Sequence, residues 1–312
     1  MVAHETQKKS DLKRFRCVFK RVWRMLKRLP IPKLLQQRFN DSGRGRPPLY
    51  NWLRITAAII ATALLEDAIY KAASYIRDAK IDVSVNYQKR ALKHYPSREE
   101  IYKIWERIPF EYLVYILGEL DRWSYVRLFE KLKIFAYEAA VDGSAETLHR
   151  RELKLFAGKY KAMLVREDYT AVVRLLTNSV VLITMGTPRD ISSFYEELYE
   201  RHIHVLYGDA YFRVSENKER ANELGISFVT KGERDRQARR PGVWYGKRKL
   251  CERVFGNRWM RGKRRLFGRA GSLDKKLIWL YIGHNLRAYE RALALEALFE
   301  YIPVLGDAYN SL

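Results

Sequence analysis

The 312-residue sequence has few cysteines and no long apolar run. The two cysteines, Cys17 and Cys251, provide neither a disulfide framework nor the ligand spacing of a metal site. The longest apolar run, residues 55–65, is far shorter than the ~20 residues that a membrane-spanning helix needs. The N-terminus lacks the apolar core of a signal peptide. These absences lead us to expect a protein of a reducing, cytoplasmic compartment.

Acidic residues are also scarce, and the excess of positive charge is confined to two windows. The sequence has 59 Lys and Arg against 36 Asp and Glu, a net charge of +23. Residues 1–50 carry 14 basic and 3 acidic side chains, and residues 231–270 carry 15 and 3, so these windows hold the whole excess. General surface solvation would spread the charge evenly. Two segments that contact a polyanion are the better interpretation, with double-stranded DNA as the expected partner and no membrane partner.

Residues 1–130 are predicted to form an all-helical DNA-binding region. Apolar residues recur every three or four positions over residues 8–29, which predicts an amphipathic helix with Lys and Arg on its other faces. Packing by one apolar stripe, docking on a membrane surface and contact with DNA all stay open for this helix. In the linker over residues 40–48, Arg44 and Arg46 resemble the core of an AT-hook, whose arginines enter a narrow minor groove. A plain linker is equally compatible with that segment.

Further helices are predicted over residues 51–65 and 66–77, and a capping box at residues 97–100 opens another. A polar and basic helix is predicted over residues 84–94. Two helices, a short turn and a polar-basic helix are typical of a helix-turn-helix, which makes residues 66–94 a candidate. Many helical bundles share this pattern, so ordinary packing is the alternative.

The pattern changes at residue 133, where strands and helices begin to alternate. Strands are predicted over residues 134–141, 169–176, 180–185, 204–207 and 226–230. Helices are predicted over residues 192–202, 215–224, from 245 onward and over 273–301. This order predicts an α/β domain over residues 131–312, with a mixed five-stranded sheet, flanking helices and a C-terminal helix.

Two aspartates follow predicted strands. Asp142 is placed at the end of the first strand and Asp209 at the end of the fourth. Because open α/β sheets place their sites at the carboxyl ends of strands, the two carboxylates lie side by side if these strands are parallel neighbours. Adjacent carboxylates repel each other unless a cation lies between them, and oxygen-only ligands suit Mg²⁺ or Mn²⁺. Taken singly, each residue is also compatible with an ordinary turn aspartate.

A third acidic residue, Glu252, lies in an aromatic and cationic segment. Tyr245, Arg248, Glu252 and Trp259 have offsets that place them within about 60° of one another on a helix. One helix face then presents two aromatic rings, a cation and a carboxylate. A simple salt bridge within this cationic segment is the alternative role for Glu252.

Together these residues resemble the DDE transposases of prokaryotic insertion sequences. The resemblance covers residues 133–290 and implies an RNase H-like catalytic domain. It implies that Asp142, Asp209 and Glu252 are the catalytic residues and that they bind two Mg²⁺ or Mn²⁺ ions.

The family's Tyr-Arg-Glu-Lys signature is matched by Tyr245, Arg248 and Glu252, while Trp259 stands at the Lys position. Residues 279–287 are similar to the family's closing helix. The resemblance and the basic windows together lead us to expect DNA contacts from the following residues: Tyr245, Arg248, Lys249, Arg253, Arg258, Arg261, Lys263, Arg264, Arg265, Arg44 and Arg46.

The resemblance implies a transposase that binds terminal inverted repeats, cleaves DNA at the element ends and joins them to target DNA. Its chemistry would be phosphoryl transfer with two metal ions. A homodimer assembled on DNA, associated with the nucleoid in a prokaryotic cytoplasm, is the expected working form. Two alternatives stay open, namely a related metal-dependent DNA nuclease and a non-catalytic DNA-binding protein descended from a transposase.

Overall fold

The structure, a computed structural model, describes most of the chain in nine ranges. They are residues 2–29, 50–65, 68–84, 95–132, 137–152, 161–230, 254–255, 267–268 and 273–301. The chain divides into two units, Met1–Tyr112 and Leu113–Leu312. No helix in the described ranges is long and apolar enough to cross a bilayer.

Four helices make up the described part of the first unit. They are α1 (Val2–Arg28), α2 (Trp52–Leu64), α3 (Lys71–Asp78) and α4 (Arg98–Arg107). The predicted apolar stripe of α1 is buried, and α1 packs chiefly against α2. The buried side chains of this stripe are Phe15, Val18, Phe19, Val22, Met25, Leu26 and Leu29. The packing role expected for α1 is therefore confirmed.

Local hydrogen bonds set the starts of two helices in this unit. The Asn51 side chain accepts a hydrogen bond from the Arg54 backbone N–H at 3.1 Å, which caps α2. The predicted capping box is confirmed, since the side chains of Ser97 and Glu100 each accept a hydrogen bond from the other's backbone N–H.

In the candidate helix-turn-helix region, two predicted helix starts are wrong and the predicted reader helix stays a prediction. The helix predicted from residue 66 begins only at Lys71, because the chain first makes a turn in which the Lys71 N–H donates to the Ala68 carbonyl at 2.8 Å. Ser84 does not open a helix, since it forms an antiparallel bridge with Tyr50. Residues 85–94, the predicted reader helix, lie outside the described residues, so the helix-turn-helix stays a prediction.

The second unit is built on a mixed sheet. Its strands are β1 (Glu138–Glu152), β2 (Lys161–Arg174), β3 (Ser179–Met185), β4 (Val205–Gly208), β5 (Ser227–Thr230) and the two-residue β6 (Phe267–Gly268). The strand order is β3-β2-β1-β4-β5, with β6 also pairing with β1. β1, β2 and β3 pair antiparallel, whereas β4 runs parallel to β1 and β5 runs parallel to β4. This is the predicted mixed sheet, and its strand order and directions are those of an RNase H-like fold.

Helices flank this sheet. They are α5 (Phe110–Leu132), α6 (Tyr195–Glu200), α7 (Ser215–Glu223) and α8 (Leu273–Tyr301). The division between the units falls at the start of α5, before the residues of this helix that contact the sheet. The boundary expected from the sequence lay at residue 130.

The first strand is longer than predicted. The sequence places its end at Asp142, but β1 continues to Glu152, which pairs with Lys161 of β2. The antiparallel partner carries β1 onward as a hairpin after its parallel partner β4 has ended at Gly208. Residues 143–152 are largely polar and show no alternation of apolar and polar side chains. The apolar pattern therefore predicted too early an end for β1.

Buried polar side chains tie α5 and α8 to the β2–β3 hairpin. The Val180 N–H donates to Asn285 Oδ1 at 2.8 Å, and Asn285 Nδ2 donates to the carbonyls of Val180 at 2.7 Å and Leu117 at 3.0 Å. One amide thereby links α8, β3 and α5. Neighbouring His284 is also buried, with its Nε2 2.6 Å from the Asn178 carbonyl oxygen. A buried polar group costs stability unless it is paired, so these bonds specify how the helices sit on the hairpin.

A fully buried ion pair holds the base of the same hairpin. The Arg174 guanidinium donates to both Asp121 carboxylate oxygens, with the shortest distance 2.8 Å, and to the Arg201 carbonyl at 2.8 Å. Asp121 also accepts from the Ser179 hydroxyl at 2.5 Å. The Arg174 guanidinium lies 4.7 Å from the centre of the Tyr125 ring. Each charge is thus compensated, as burial requires.

We expect Asp121→Asn to lower the free energy of unfolding by about 3–5 kcal/mol, because it leaves the buried Arg174 charge uncompensated. The measurement is urea denaturation at pH 7. The matched control is Ser179→Ala, which removes one hydrogen bond to the same carboxylate and should cost about 1 kcal/mol. Equal losses in the two variants would contradict a dominant role for the ion pair.

His284 should make stability depend on pH. The pKa of His284 is lowered to about 4, chiefly by burial and further by nearby Arg291 and Arg287, against the raising effect of its hydrogen bond to Asn178. The unfolded chain, with a histidine pKa of about 6.5, takes up this proton first as the pH falls. Stability should therefore be constant above about pH 6.5, fall between 6.5 and 4, and lose about 3 kcal/mol in total. Denaturation at several pH values tests this, and His284→Gln should flatten the slope in that window. The same slope in both proteins would be the contrary result.

Candidate active site

The parallel register of β1 and β4 aligns the two predicted aspartates. Ala140 pairs with Tyr207, and Asp142 and Asp209 each lie two residues further along their own strand direction. Residues two apart on a strand share a face, and neighbouring strands lie about 4.8 Å apart. Continued past Tyr207, this register puts Asp142 of β1 level with Asp209, which directly follows β4. Both are only partly buried, so this position is open to solvent.

Backbone N–H groups orient both carboxylates. Asp142 Oδ1 accepts from the Gly143 N–H at 3.0 Å. Asp209 Oδ1 accepts from the Tyr211 N–H at 2.8 Å and so caps the short 3₁₀ turn Ala210–Phe212. Both side chains thus present oriented negative charge at the same sheet edge.

Tight packing fixes the approach of β4 to this edge. A Cβ atom added to Gly208 would lie 3.1 Å from the Phe228 ring and 3.3 Å from Val141 Cγ1. The absent side chain lets β4 sit closely between β1 and β5 immediately before Asp209. Val141 and Leu206 are fully buried in the core on the opposite face of the sheet from Asp142.

The residues that follow Glu252 pack on the face that carries Asp142. Asp142 pairs with Ala171, and Ser144 pairs with Tyr169, so Tyr169 lies on the same face as Asp142. The Phe255 ring meets Tyr169 edge-on, with 5.7 Å between the ring centres. The Tyr169 hydroxyl lies 2.5 Å from that of Tyr281 on α8. Val254 and Phe255 are buried and helical, so this short stretch is packed against Tyr169, on the face that carries Asp142.

Apart from Asp142 and Asp209, the predicted site residues lie outside the described residues. Glu252 is one of them. The others are Tyr245, Arg248, Lys249, Arg253, Arg258, Arg261, Lys263, Arg264, Arg265, Arg44 and Arg46. Their roles stay predictions. The basic segment 256–266 is nevertheless bounded at both ends by described residues of the second unit. Phe255 contacts Tyr169, and Phe267 pairs with His149 of β1.

The sequence analysis missed a cation and an aromatic ring next to Asp209. Tyr211 is 43% exposed, and its hydroxyl donates to the Thr187 carbonyl at 2.7 Å. The Arg189 guanidinium lies 5.6 Å from the centre of the Tyr211 ring. Thr187 in turn lies against Gly143, the residue after Asp142. An exposed Tyr two residues after Asp209 was the signal available in the sequence, but nothing there linked it to Arg189.

The side chains at this edge suit a hard divalent cation. Among the described residues, no group of three or more His, Cys, Asp and Glu side chains is placed to hold a metal ion. Asp142 and Asp209 supply oxygen ligands from two adjacent strands, which fits Mg²⁺ or Mn²⁺ in chemistry. A third carboxylate would have to come from outside the described residues.

Comparisons with known proteins give only a remote likeness. No protein-family model matches the chain, and no curated protein matches it. Three similar solved structures are a Mos1 transposase paired-end complex with left transposon end, the Mos1 mariner paired end complex with Mn, and the Mos1 Strand Transfer Complex. Each is 12% identical to this chain. The matches cover 86%, 94% and 86% of this chain and 88%, 98% and 88% of the other, with TM-scores of 0.28, 0.29 and 0.28. Values this low carry no argument, so the fold assignment rests on strand order and direction.

Proposed function

We propose that this chain is a DDE-type transposase that cuts DNA at the ends of an element and joins them to target DNA. The observation that carries the proposal is the parallel pairing of β1 with β4, whose register leads to Asp142 and Asp209 on adjacent strands of a sheet of RNase H-like order. Two like charges this close are unfavourable unless a cation compensates them. The arrangement is therefore better explained as a metal site than as two unrelated turns.

Glu252 is the third carboxylate of the proposed site. Three residues of chain span at most about 11 Å, and Glu252 lies three residues before Phe255. Because Phe255 packs on Tyr169, on the face of the sheet that carries Asp142, the proposed position of Glu252 beside the two aspartates is within reach of the chain. This supports Glu252 over the other acidic residues of the basic window, Glu233 and Asp235, which lie much further from the anchor along the chain.

The carboxylates and their backbone partners explain the proposed chemistry. Asp142, Asp209 and Glu252 would hold two Mg²⁺ or Mn²⁺ ions, which when bound stabilise charge on the attacking and leaving oxygens of a phosphoryl transfer. The N–H groups of Gly143 and Tyr211 orient the two aspartates. Hydrolysis of a phosphodiester at the element end frees a 3′-hydroxyl. In strand transfer, that hydroxyl attacks a target phosphodiester, and the displaced target oxygen leaves with a proton.

The charge distribution supports DNA as the substrate. The basic window 231–270 surrounds Glu252 and is joined to the second unit through Phe255 and Phe267, both next to β1 or β2. Cations beside a phosphoryl-transfer site would contact the phosphates flanking the cut. Tyr245 and Arg248, which match the family signature, would hold a phosphate near Glu252.

The remaining parts of the proposal follow the family resemblance. Residues 1–130 would recognise terminal inverted repeats, two copies would assemble on the DNA, and the protein would act in a prokaryotic cytoplasm. A related nuclease without strand transfer and a non-catalytic DNA-binding descendant are the alternatives that the following experiment separates.

We expect Asp142→Asn and Asp209→Asn each to lower Mg²⁺-dependent cleavage of an element-end duplex by at least a hundredfold, because each removes a charged metal ligand. DNA binding should persist, since the basic segments are unchanged. Asparagine can still accept the capping hydrogen bond at residue 209, so the fold should persist as well. The measurement is single-turnover cleavage of a labelled duplex, with affinity measured in parallel.

Asp190→Asn is the matched control for Asp209→Asn. Asp190 Oδ1 accepts from the Ser192 N–H at 2.8 Å, the same local role that Asp209 plays for Tyr211, but it belongs to the loop after β3. This variant should cut at the parental rate. Cleavage by the Asp142 and Asp209 variants at that rate would rule out the proposed mechanism. Parental cleavage without joined products would favour the nuclease, and binding without any cleavage would favour the non-catalytic protein.

A second readout does not depend on DNA cleavage. Titration of the parent with Mn²⁺, followed by the electron paramagnetic resonance signal of the free ion, should reveal sites that Asp142→Asn and Asp209→Asn weaken and Asp190→Asn does not. Removing one anionic ligand leaves fewer charges to offset metal dehydration. Identical Mn²⁺ binding by all four proteins would remove the two aspartates from any metal site.

A further inference from the structure

Helix α1 divides into a buried apolar face and an exposed cationic face. Its apolar stripe is enclosed in the first unit, while all ten of its Lys and Arg residues are exposed. We propose that the exposed face of α1 binds the phosphate backbone of duplex DNA without reading its sequence. This inference rests on the proposed function only in taking DNA as the partner.

Five of these cations form a narrow band along the helix, which we call the cationic band. At 100° per residue they lie within about 60° of one another, on the side of α1 opposite the buried stripe. The band consists of Lys9, Lys13, Lys20, Arg24 and Lys27. From Lys9 to Lys27 it is about 27 Å long, close to the ~34 Å of one duplex turn. A straight row of cations of this length can meet several successive phosphates.

Within the described residues, Lys13, Lys20 and Arg24 of this band form no salt bridge. Of the described acidic side chains near α1, Asp11 accepts a hydrogen bond from Gln7, and Asp78 pairs with Lys8 at 3.4 Å. Both contacts lie toward the buried side of the helix and outside the band. At the far end, Lys27 and Arg54 lie 5.5 Å and 5.3 Å from the centre of the Trp23 ring. The Trp23 ring thus holds Arg54 of α2 beside the Lys27 end of the band.

The same geometry argues against a membrane surface as the partner. A helix that lies on a bilayer must insert its apolar face among the lipids. In α1 that face is occupied by the protein's own core, as shown by Phe15, Met25 and Leu26, each with no exposed surface. The exposed side offers charge alone, so its fit is to a polyanion.

The composition of the band favours contact with phosphates. No Asn or Gln lies between Lys9 and Lys27, so this stretch lacks the amides that bind adenine through two hydrogen bonds. Lysine, which supplies four of the five positions, binds phosphate as a point charge. Such contacts position a protein on DNA and carry no sequence information.

The test replaces Lys13, Lys20 and Arg24 with Gln in one full-length protein. Affinity for a terminal-repeat duplex and for a random duplex of equal length is measured from low to physiological salt. Each phosphate contact contributes about 0.9 to the slope of log affinity against log salt concentration. The slope should therefore fall by about 2–3 for both duplexes alike. A matched control, Lys103→Gln with Arg107→Gln on the exposed side of α4, should leave the slope unchanged.

Cys17 gives an independent footprint at the edge of the band. It is an exposed free cysteine, and Cys251→Ser removes the other thiol of the chain. Either duplex should slow maleimide labelling of Cys17 severalfold at low salt, and high salt should restore the rate.

Unchanged thermal unfolding of the triple variant shows that its exposed substitutions leave the fold intact.

Three results would overturn the inference. They are an unchanged salt slope with no protection of Cys17, a loss confined to the terminal-repeat duplex, and a loss of binding to phosphatidylserine vesicles with DNA binding intact. These outcomes are distinct from a failure of the proposed function, because catalysis by Asp142 and Asp209 is measured on proteins whose α1 is unaltered. A lower salt slope for both duplexes, together with parental cleavage of pre-bound DNA, would support both this inference and the proposed function.

Discussion

The parallel pairing of β1 with β4 is the constraint on which the candidate site depends. Asp142 and Asp209 are far apart in the sequence, and only the register Ala140 to Tyr207 brings them to the same level of adjacent strands. A shift by one residue would turn one carboxylate to the opposite face of the sheet. Gly208 supports this register, because the side chains of Phe228 and Val141 occupy the space beside it.

Polar groups in the core secure the frame in which that register forms. Apolar packing alone tolerates sliding, whereas a buried hydrogen bond has one satisfied arrangement. Asn285 joins α8, β3 and α5, and the Arg174–Asp121 pair joins β2 to α5. Gly118 contributes as well, since the Arg201 guanidinium occupies the place where a side chain at that position would begin. The sheet edge that carries the aspartates thereby rests on a hairpin whose position is fixed.

The sequence predicted what apolar periodicity and local capping encode. The stripe of α1, the capping box at Ser97, the three antiparallel strands and the mixed sheet all follow from residue spacing. The continuation of β1 beyond Asp142 was missed because its residues are largely polar and are held in the strand by pairing with β2. The link made by Asn285 was missed for a different reason, since one polar residue in an apolar helix does not reveal its partners in other elements. Tertiary pairing decides both features, and no local pattern contains it.

The two aspartates are best explained by their charge. The hydrogen bond that Asp209 accepts from Tyr211 could be made equally well by asparagine, and Asp190 shows the same local turn at a position with no second carboxylate beside it. Two anions on neighbouring strands repel each other, and this repulsion opposes folding. In a chain with a net charge of +23, two adjacent acids on a partly exposed sheet edge also reduce the attraction for DNA at that point. A divalent cation bound between them would remove both penalties, and it would do so at the position where the proposed chemistry needs positive charge.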